Sequence, residues 1–234
     1  PVIIGEAGIE SVKDVFVSKA GAENAPIRFA EQSGVIRSSA ISDNGHWVYD
    51  TTDYGTIEGE LGGVVQEKNT CTVLTAIREL LSLGYKITPQ AVKTGFAQVT
   101  GLTGLMGRWQ IIQREPLIIC DTGHNVGGWE YLSKQLDQTP CHALHIVIGM
   151  VNDKDIHGVL KLLPKKAIYY FTNASVERAL PAEEFALQAS EHGLKGTIHS
   201  SVALAIDAAK NAAEPNDCIF IGGSTFIVSD ALIA

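Results

Sequence analysis

Short apolar runs alternate with amphipathic segments throughout the second half of the chain. Runs of strand length occupy residues 116–120, 143–149, 167–171, 197–199 and 217–221. The segments between them carry apolar residues at helical spacing and predict helices at 125–137, 153–163, 181–192, 201–212 and the C-terminal end. Strands that alternate with helices form parallel sheets through right-handed crossovers. The pattern therefore predicts an α/β fold, with a Rossmann-like, mostly parallel sheet and helices on both faces.

The first half of the chain has a different pattern, β-rich at first and helical later. Apolar segments predict strands at 2–5, 26–30, 35–41, 47–52 and 55–61, the last three as an antiparallel meander. Helical spacing appears at Val12, Val15 and Phe16, and again in the stripe Val73, Ile77, Leu80 and Leu81. The stripe ends at Gly84, and Thr88-Pro89 then predicts a new helix with a capping threonine and a proline at its first position.

A domain boundary is predicted where these two patterns meet. Gly101-Leu102-Thr103-Gly104 has two glycines and no periodicity, which is typical of a linker. We therefore predict one domain at 1–103 and a second at 104–234. The chain begins at Pro1 without a methionine, and we interpret it as a fragment of a longer protein.

Composition narrows the class of protein. The chain has 234 residues, 45% of them hydrophobic, and a net charge of −8, which disfavours non-specific nucleic-acid binding. The four cysteines lack the paired spacing of a zinc or redox site. No apolar run has the length of a membrane span, and no secretory signal is visible. We expect a cytoplasmic monomer that binds small molecules, with no nucleic acid and no membrane as partner.

Three polar residues surround the predicted strand at 116–120. Arg108 precedes it and could pair with phosphate oxygens, while Asp121 follows it and could accept hydrogen bonds from ribose hydroxyls. His124 begins the next helix, where free N–H groups attract anions. Each has an ordinary structural alternative: a surface turn for Arg108, a helix cap for Asp121 and a structural imidazole for His124.

Two further positions suit a nucleotide or anionic substrate. The side-chain amide of Asn69 could recognise the edge of an adenine, although a helix N-cap is the simpler interpretation. Ser224 follows Gly222-Gly223 after the last strand, and its hydroxyl could hold an anionic group. None of the 23 glycines is followed by lysine, so the chain has no Walker A loop for a triphosphate.

Several motifs together resemble one family. The chain contains Gly107-Arg108-Trp109, Asp121-Thr122-Gly123-His124-Asn125, Asp153-Lys154-Asp155-Ile156, Arg178-Ala179-Leu180 and Gly223-Ser224-Thr225-Phe226 in this order. This set resembles the C-terminal part of folylpolyglutamate synthase and dihydrofolate synthase, the folate branch of the Mur ligase superfamily. The segment from Leu61 to Asn69 resembles the end of that family's central P-loop ATPase domain more loosely.

The resemblance implies an ATP-dependent ligase that uses Mg²⁺ and joins L-glutamate to a folate or dihydropteroate carboxylate through an acyl phosphate. It implies that Asn69 contacts adenine, Arg108 the phosphates and Asp121 the ribose. His124, as a catalytic residue, and Ser224 would lie near the transferred phosphoryl group and the glutamate. The P-loop and the metal ligands would lie outside this chain, so the chain alone would be inactive.

Two positions depart from the family pattern, and two other functions stay open. Thr122-Gly123 replaces the commoner Gly-Ala, and Phe226 stands where many relatives have tyrosine. A cell-wall Mur ligase is the alternative within ligases, and a non-catalytic nucleotide-binding module is the alternative from another class. The sequence leaves open whether the first glutamate, later ones or both are added.

Overall fold

The computed structural model describes residues 1–233, and these form two compact units. The first unit is Pro1–Leu105, and the second begins at Met106. The first unit has two sheets and one buried apolar cluster, and the second has one sheet with a buried apolar cluster on each face.

The first unit contains two small sheets. Its strands are β1 (Val2–Ile4), β2 (Ile27–Phe29), β3 (Ile36–Ile41), β4 (Trp47–Thr51) and β5 (Gly55–Gly59). Strands β1 and β2 pair in parallel, while β3, β4 and β5 form the predicted antiparallel meander. Its helices are α1 (Glu10–Ala22), α2 (Gln66–Ser82), α3 (Pro89–Ala97) and α4 (Val99–Thr103).

The core of the first unit lies between the meander and helices α2 and α3. Trp47 and Tyr49 stack at 5.5 Å between ring centroids, and Ile57, Leu74 and Val92 are buried with them. Helix α3 begins as predicted, because the Thr88 hydroxyl accepts a hydrogen bond from the Ala91 amide at 3.1 Å.

The second unit is built on one six-stranded sheet. Its strands are β6 (Gln110–Arg114), β7 (Leu117–Asp121), β8 (Leu144–Ile148), β9 (Ile168–Phe171), β10 (Gly196–Ile198) and β11 (Cys218–Gly222). They lie in the order β10-β9-β8-β11-β7-β6, and every neighbouring pair is parallel except β6 with β7. This arrangement confirms the predicted α/β class with a mostly parallel sheet.

Helices cover both faces of this sheet. They are α5 (Val126–Gln138), α6 (Ile156–Leu162), α7 (Ala182–Glu191), α8 (Val202–Ala212) and α9 (Thr225–Ile233). Buried residues of α5, α6 and α7 pack with one face, where Trp129 meets Phe220 edge-on. Buried residues of α8 and α9 pack with the other face, around Val147, Ile219 and Ile221. The helices and parallel strands agree with the predicted ones to within a few residues at their ends.

Three local features were not predicted from the sequence. Residues 110–114 form strand β6, which the sequence did not indicate, and residues 101–103 belong to helix α4, which ends at the left-handed Gly104. The apolar stripe that indicated α2 is partly exposed at Val73, Leu80 and Leu81. Its buried side instead contains Gln66, Thr70, Leu74 and Thr75, because a polar residue at a packed position does not register as apolar periodicity.

Candidate functional site

The candidate residues of the second unit meet at the carboxyl edge of its sheet. Gly222, the last residue of β11, is paired with Asp121 of β7 on one side and Ile148 of β8 on the other. The segments that follow these three strands therefore leave the sheet side by side. In open parallel sheets, ligands usually bind in a crevice outside the carboxyl ends of the strands.

Residues 107–110 form a tight turn beside this edge. Gly107 has φ +70°, and a Cβ atom there would lie 2.7 Å from Val228 and 2.9 Å from Thr122, so the turn requires glycine. Trp109 also adopts a left-handed conformation, with φ +49°. The Gln110 side chain accepts a hydrogen bond from the Gly107 amide at 2.9 Å, which closes the turn.

The Asp121 carboxylate holds this turn against the strand end. Its Oδ2 accepts from the Trp109 amide at 2.7 Å, and its Oδ1 accepts from the Gly123 amide at 2.8 Å. Burial raises the pKa of the Asp121 carboxyl above its ordinary value, while these two hydrogen bonds and Arg108 oppose the rise. A carboxylate has about four lone-pair sites. Asp121 can therefore accept ligand hydroxyls as well as supporting the fold.

Arg108 lies at the tip of the same turn. Its side chain is exposed, and one guanidinium nitrogen donates to the buried Thr122 hydroxyl. The Thr122 amide donates to the Gly107 carbonyl at 2.9 Å. Thr122 therefore holds both the guanidinium and the backbone of the turn. A guanidinium has five N–H donors. One contact with Thr122 positions the group and leaves donors for an anion.

His124 begins the segment that leads into helix α5. Its Nδ1 lies 3.0 Å from the Thr122 carbonyl oxygen, which can only accept, so Nδ1 carries a hydrogen. In the neutral imidazole Nε2 is then an acceptor, and it donates only when the ring is protonated. Asn125 caps α5 by accepting from the Gly128 amide at 2.8 Å. The helix start thus presents oriented amides next to the imidazole.

Ser224 is buried and serves as a cap for helix α9. Its hydroxyl oxygen accepts from the Phe226 amide at 3.2 Å. Gly223 before it has φ +92°, and a Cβ there would lie 2.7 Å from the Gly149 carbonyl oxygen. The structure thus brings Ser224 to the same sheet edge as Asp121, but its capping role is the structural alternative for a serine at this position.

Asn69 belongs to the first unit and is not a helix cap. It lies in the first turn of α2, and Val65 holds the N-cap position. Its side-chain nitrogen donates to Gln66 Oε1 at 3.1 Å. Asn69 and Gln66 line a mainly apolar cavity of about 450 Å³, together with Leu61, Val73, Phe96 and Val99. A polar amide pair at the wall of an apolar cavity suits a flat heterocycle with an edge that forms hydrogen bonds.

Sequence reasoning gave no role to Thr122, to the Gln110 side chain or to the contacts of Arg178. The Arg178 guanidinium lies 4.8 Å from the centre of the Phe226 ring and 3.8 Å from an Asp153 carboxylate oxygen. Asp153, Arg178 and Phe226 come from three of the motifs that carried the resemblance. The order of motifs along the chain could have suggested that they meet, because each follows a strand of the predicted parallel sheet.

Residues 1–233 contain neither a cluster of metal-ligating side chains nor a membrane-spanning helix. No group of three or more His, Cys, Asp or Glu side chains there could hold a metal ion. Within the same residues, no helix has both the length and the apolar character needed to cross a membrane. The four cysteines are free.

The fold and the edge residues define a class of protein. Residues 107–225 match the family model of the Mur ligase glutamate ligase domain, and the chain therefore belongs to the Mur ligase family. The dihydrofolate synthase/folylpolyglutamate synthase of Escherichia coli K12 is 30% identical over 233 residues, covering 99% of this chain and 51% of that protein. The chain thus spans about half the length of this relative, and the predicted resemblance to the folate branch is confirmed.

Solved structures agree with the sequence comparison. E. coli FolC in complex with DHPP and ADP matches all of this chain and 52% of its own, with a TM-score of 0.73 and 28% identity. A bifunctional folylpolyglutamate synthase/dihydrofolate synthase with Mn, AMPPNP and L-glutamate bound matches 99% of this chain and 52% of its own, with a TM-score of 0.70 and 25% identity.

Proposed function

We propose that this chain is part of an ATP-dependent ligase that joins L-glutamate to the carboxylate of a folate or dihydropteroate acceptor through an acyl phosphate. The observation that carries the proposal is the edge of the second unit, where the Arg108 turn and the capped start of α5 flank Asp121. This edge lies within the residues that match the glutamate ligase domain. Similar proteins have been solved with ADP, or with AMPPNP and L-glutamate.

The nucleotide contacts proposed for the second unit follow from its geometry. Arg108 is exposed and anchored by Thr122, so its guanidinium is available to phosphate oxygens without a search among rotamers. Asp121 retains lone pairs for ribose hydroxyls although two amides already bind it. The amides at the start of α5 add a partial positive charge beside both.

His124 is proposed as the catalytic residue of this edge. A neutral ring with hydrogen on Nδ1 offers its Nε2 lone pair to the proton that the attacking glutamate amine must lose. A protonated ring would instead donate from Nε2 to the phosphoryl group. The contact with Thr122 fixes the ring for either role, because it determines which nitrogen faces away from the backbone.

Ser224 is proposed as a contact for the anionic substrate through its O–H hydrogen. The hydroxyl oxygen already accepts from Phe226, so donation is the capacity that a carboxylate would use. Because Ser224 is only 2% exposed, such a contact requires a movement of residues 222–224. The Arg178 guanidinium contacts the ring of Phe226, two residues after Ser224, and is a second cation near this segment.

Asn69 is proposed to recognise adenine in the first unit. The amide oxygen and nitrogen of asparagine match the donor and acceptor on the adenine edge. The apolar walls of the adjoining cavity suit the faces of the ring. The hydrogen bond to Gln66 uses one amide hydrogen of Asn69 and orients the group.

The proposed reaction also needs a divalent cation to neutralise charge on the phosphates. Residues 1–233 offer no cluster of three ligands, so we assign no metal ligand to them. We propose Mg²⁺ bound mainly through phosphate oxygens and water, its usual mode in phosphoryl transfer. The chain has no Walker A loop, and we propose that it does not complete the reaction without the remaining length found in its relatives.

The test uses the natural gene product that carries this chain, supplied with ATP, Mg²⁺ and radiolabelled L-glutamate. Folate, dihydropteroate and a cell-wall precursor are offered as separate acceptors. We expect label to enter a folate or dihydropteroate product, and hydroxylamine to intercept an acceptor hydroxamate that forms only with ATP. The Arg37→Ala variant, which removes an exposed arginine of the meander, is the control and should keep full activity.

Three results would contradict the proposal. Incorporation only with the cell-wall precursor would identify the other Mur ligase function. Tight ATP binding without product from any acceptor would identify a nucleotide-binding module. Glutamate incorporation by the isolated 234-residue chain, at the rate of the natural gene product, would contradict the proposal that this chain is incomplete.

A further inference from the structure

Two histidine rings from different helices meet on the surface of the second unit. His157 Nδ1 lies 3.0 Å from His192 Nε2, and the ring centroids are 5.3 Å apart with their planes at 46°. His157 belongs to α6 and is exposed, while His192 ends α7 and is partly buried. Neither residue belongs to the candidate site at the sheet edge.

Both rings are carried by well-anchored backbone. Helix α6 is capped by Asp155, which accepts from the Gly158 amide at 2.9 Å, and it is fixed to the core by the fully buried Val159 and Leu160. The His192 amide donates to Ala189 at 3.0 Å, and the Lys165 ammonium donates to the His192 carbonyl at 2.9 Å. The two imidazoles therefore meet without the ordering of a loop, which lowers the entropy cost of binding a ligand between them.

The spacing of the two nitrogens is close to that of a metal pair. Two nitrogens at 2.0–2.1 Å from one tetrahedral zinc ion lie about 3.3 Å apart. At 3.0 Å the two nitrogens form a hydrogen bond, in which the N–H of one ring points at the lone pair of the other. A zinc ion would take the place of that hydrogen, with both rings turned so that their lone pairs face the ion. Either ring nitrogen of histidine can ligate zinc.

We propose that His157 and His192 form a binding site for a divalent cation of the zinc class, in which water completes the coordination. The cation would join α6 to the end of α7. Imidazole suits zinc, copper and nickel, whereas Mg²⁺ prefers oxygen ligands and octahedral geometry, so the site excludes the cation of the proposed ligase reaction. With two protein ligands, and with the Lys165 ammonium bound to the His192 backbone, the affinity is modest.

The test measures zinc binding to the metal-free chain by titration calorimetry, with MgCl₂ as the comparison salt. We expect one zinc ion per chain and no saturable heat with Mg²⁺. His157→Gln and His192→Gln should each weaken zinc binding by about 10- to 100-fold or more, since even outer-shell changes cost that much at metal sites. His142→Gln removes an exposed histidine elsewhere in the unit and should bind zinc like the parent.

A second measurement needs no variant. In the ¹⁵N-labelled parent chain, zinc should shift the imidazole nitrogen signals of two histidines together, at a ratio of one ion per chain. Zinc affinity unchanged in both glutamine variants, or zinc shifts confined to other histidines, would overturn the proposal, as would the absence of saturable zinc binding. Ligase activity enters none of these readouts, so failure here leaves the proposed function untouched.

Discussion

The two units bury their apolar side chains to different extents. In the second unit a six-stranded sheet has helices on both faces, and Trp129 on α5 is completely buried. In the first unit α1 accompanies a two-stranded parallel sheet, Ala20 is its one buried residue, and Val15 remains 66% exposed. A narrow sheet offers little surface to a helix. Apolar residues at helical spacing thus indicate a helix, but the width of the sheet beneath it decides which of them are buried.

The largest expected effect compares two phenylalanines, one from each unit. Phe220→Ala removes a fully buried ring that contacts Trp109 and Trp129, and it should lower the free energy of unfolding by about 3–5 kcal/mol. Phe16→Ala on α1 removes a ring that is 37% exposed and should cost less than about 1 kcal/mol. Urea unfolding of both variants measures the difference. Equal losses of unfolding free energy in the two variants would contradict the difference in burial between the two units.

The next effect concerns activity and leaves stability unchanged. In the natural gene product, Arg108→Ala should raise the barrier for glutamate incorporation by about 2–4 kcal/mol, the usual cost of losing a charge-stabilising contact. The melting temperature should stay close to that of the parent, because the side chain is exposed and its described hydrogen bond is to Thr122. Steady-state rates at varied ATP, together with thermal melts, test this. Unfolding without a loss of rate per folded molecule would assign Arg108 to the fold.

Asp121→Asn should lower both activity and stability, because the Asp121 carboxylate joins the turn at residues 107–110 to the end of β7. The asparagine side chain has one acceptor oxygen, whereas the carboxylate accepts from two backbone N–H groups, those of Trp109 and Gly123. We expect a loss of about 1–3 kcal/mol in the free energy of unfolding, the cost of an unsatisfied buried donor. Denaturant unfolding of the 234-residue chain measures it without reference to activity. A variant as stable as the parent would show that the turn does not depend on Asp121.

The smallest effect is on acid sensitivity. Hydrogen bonds from the Glu214 amide, the Ala143 amide and His145 lower the pKa of the buried Asp217 carboxyl. A lowered pKa gives stability that is complete above the ordinary value of about 3.9 and is lost as pH falls through the lowered value. Asp217→Asn should therefore flatten the decline of unfolding free energy below about pH 4.

The control for acid sensitivity is Asp14→Asn, which changes an exposed aspartate of α1. Urea unfolding at a series of pH values measures the slope for the parent and both variants. A slope in Asp217→Asn as steep as that of the parent would exclude Asp217 as a source of the acid loss.

The sequence predicted the helices of the second unit correctly because their apolar spacing arises from packing against the sheet. The helices of the second unit pack their apolar side against a wide sheet, so the apolar spacing that indicated α5 also coincides with its buried residues, such as Leu132 and Leu136. Strand β6 was missed because Gln110 and Gln113 interrupt its apolar residues, and it pairs only with β7, at the edge of the sheet. The apolar stripe of α2 indicated the helix but not its buried side, because Thr70 and Gln66 occupy packed positions.

The candidate site was predictable in its membership but not in its contacts. The parallel strands indicated that Asp121, His124 and Ser224 follow strands whose carboxyl ends lie at one edge, as the structure has them. Arg108 reaches this edge through β6, which pairs antiparallel with β7 and was not predicted. Their roles as catalytic or binding residues stay a prediction, as does the role of Asn69. The bonds from backbone amides to Asp121 leave no pattern in a sequence, because every residue except proline carries such an amide.

Three buried glycines let the backbone segments at the ends of the central strands lie in direct contact. A Cβ at Gly149 would lie 2.4 Å from the Thr172 carbonyl, one at Gly222 would lie 2.8 Å from the Asp121 carbonyl, and one at Gly223 would lie 2.7 Å from the Gly149 carbonyl. These close contacts between backbone groups fix the ends of β7, β8 and β11 relative to one another, with no side chain to order between them. Evolution of new specificity is correspondingly directed to the flanking segments, since these three positions accept no larger residue.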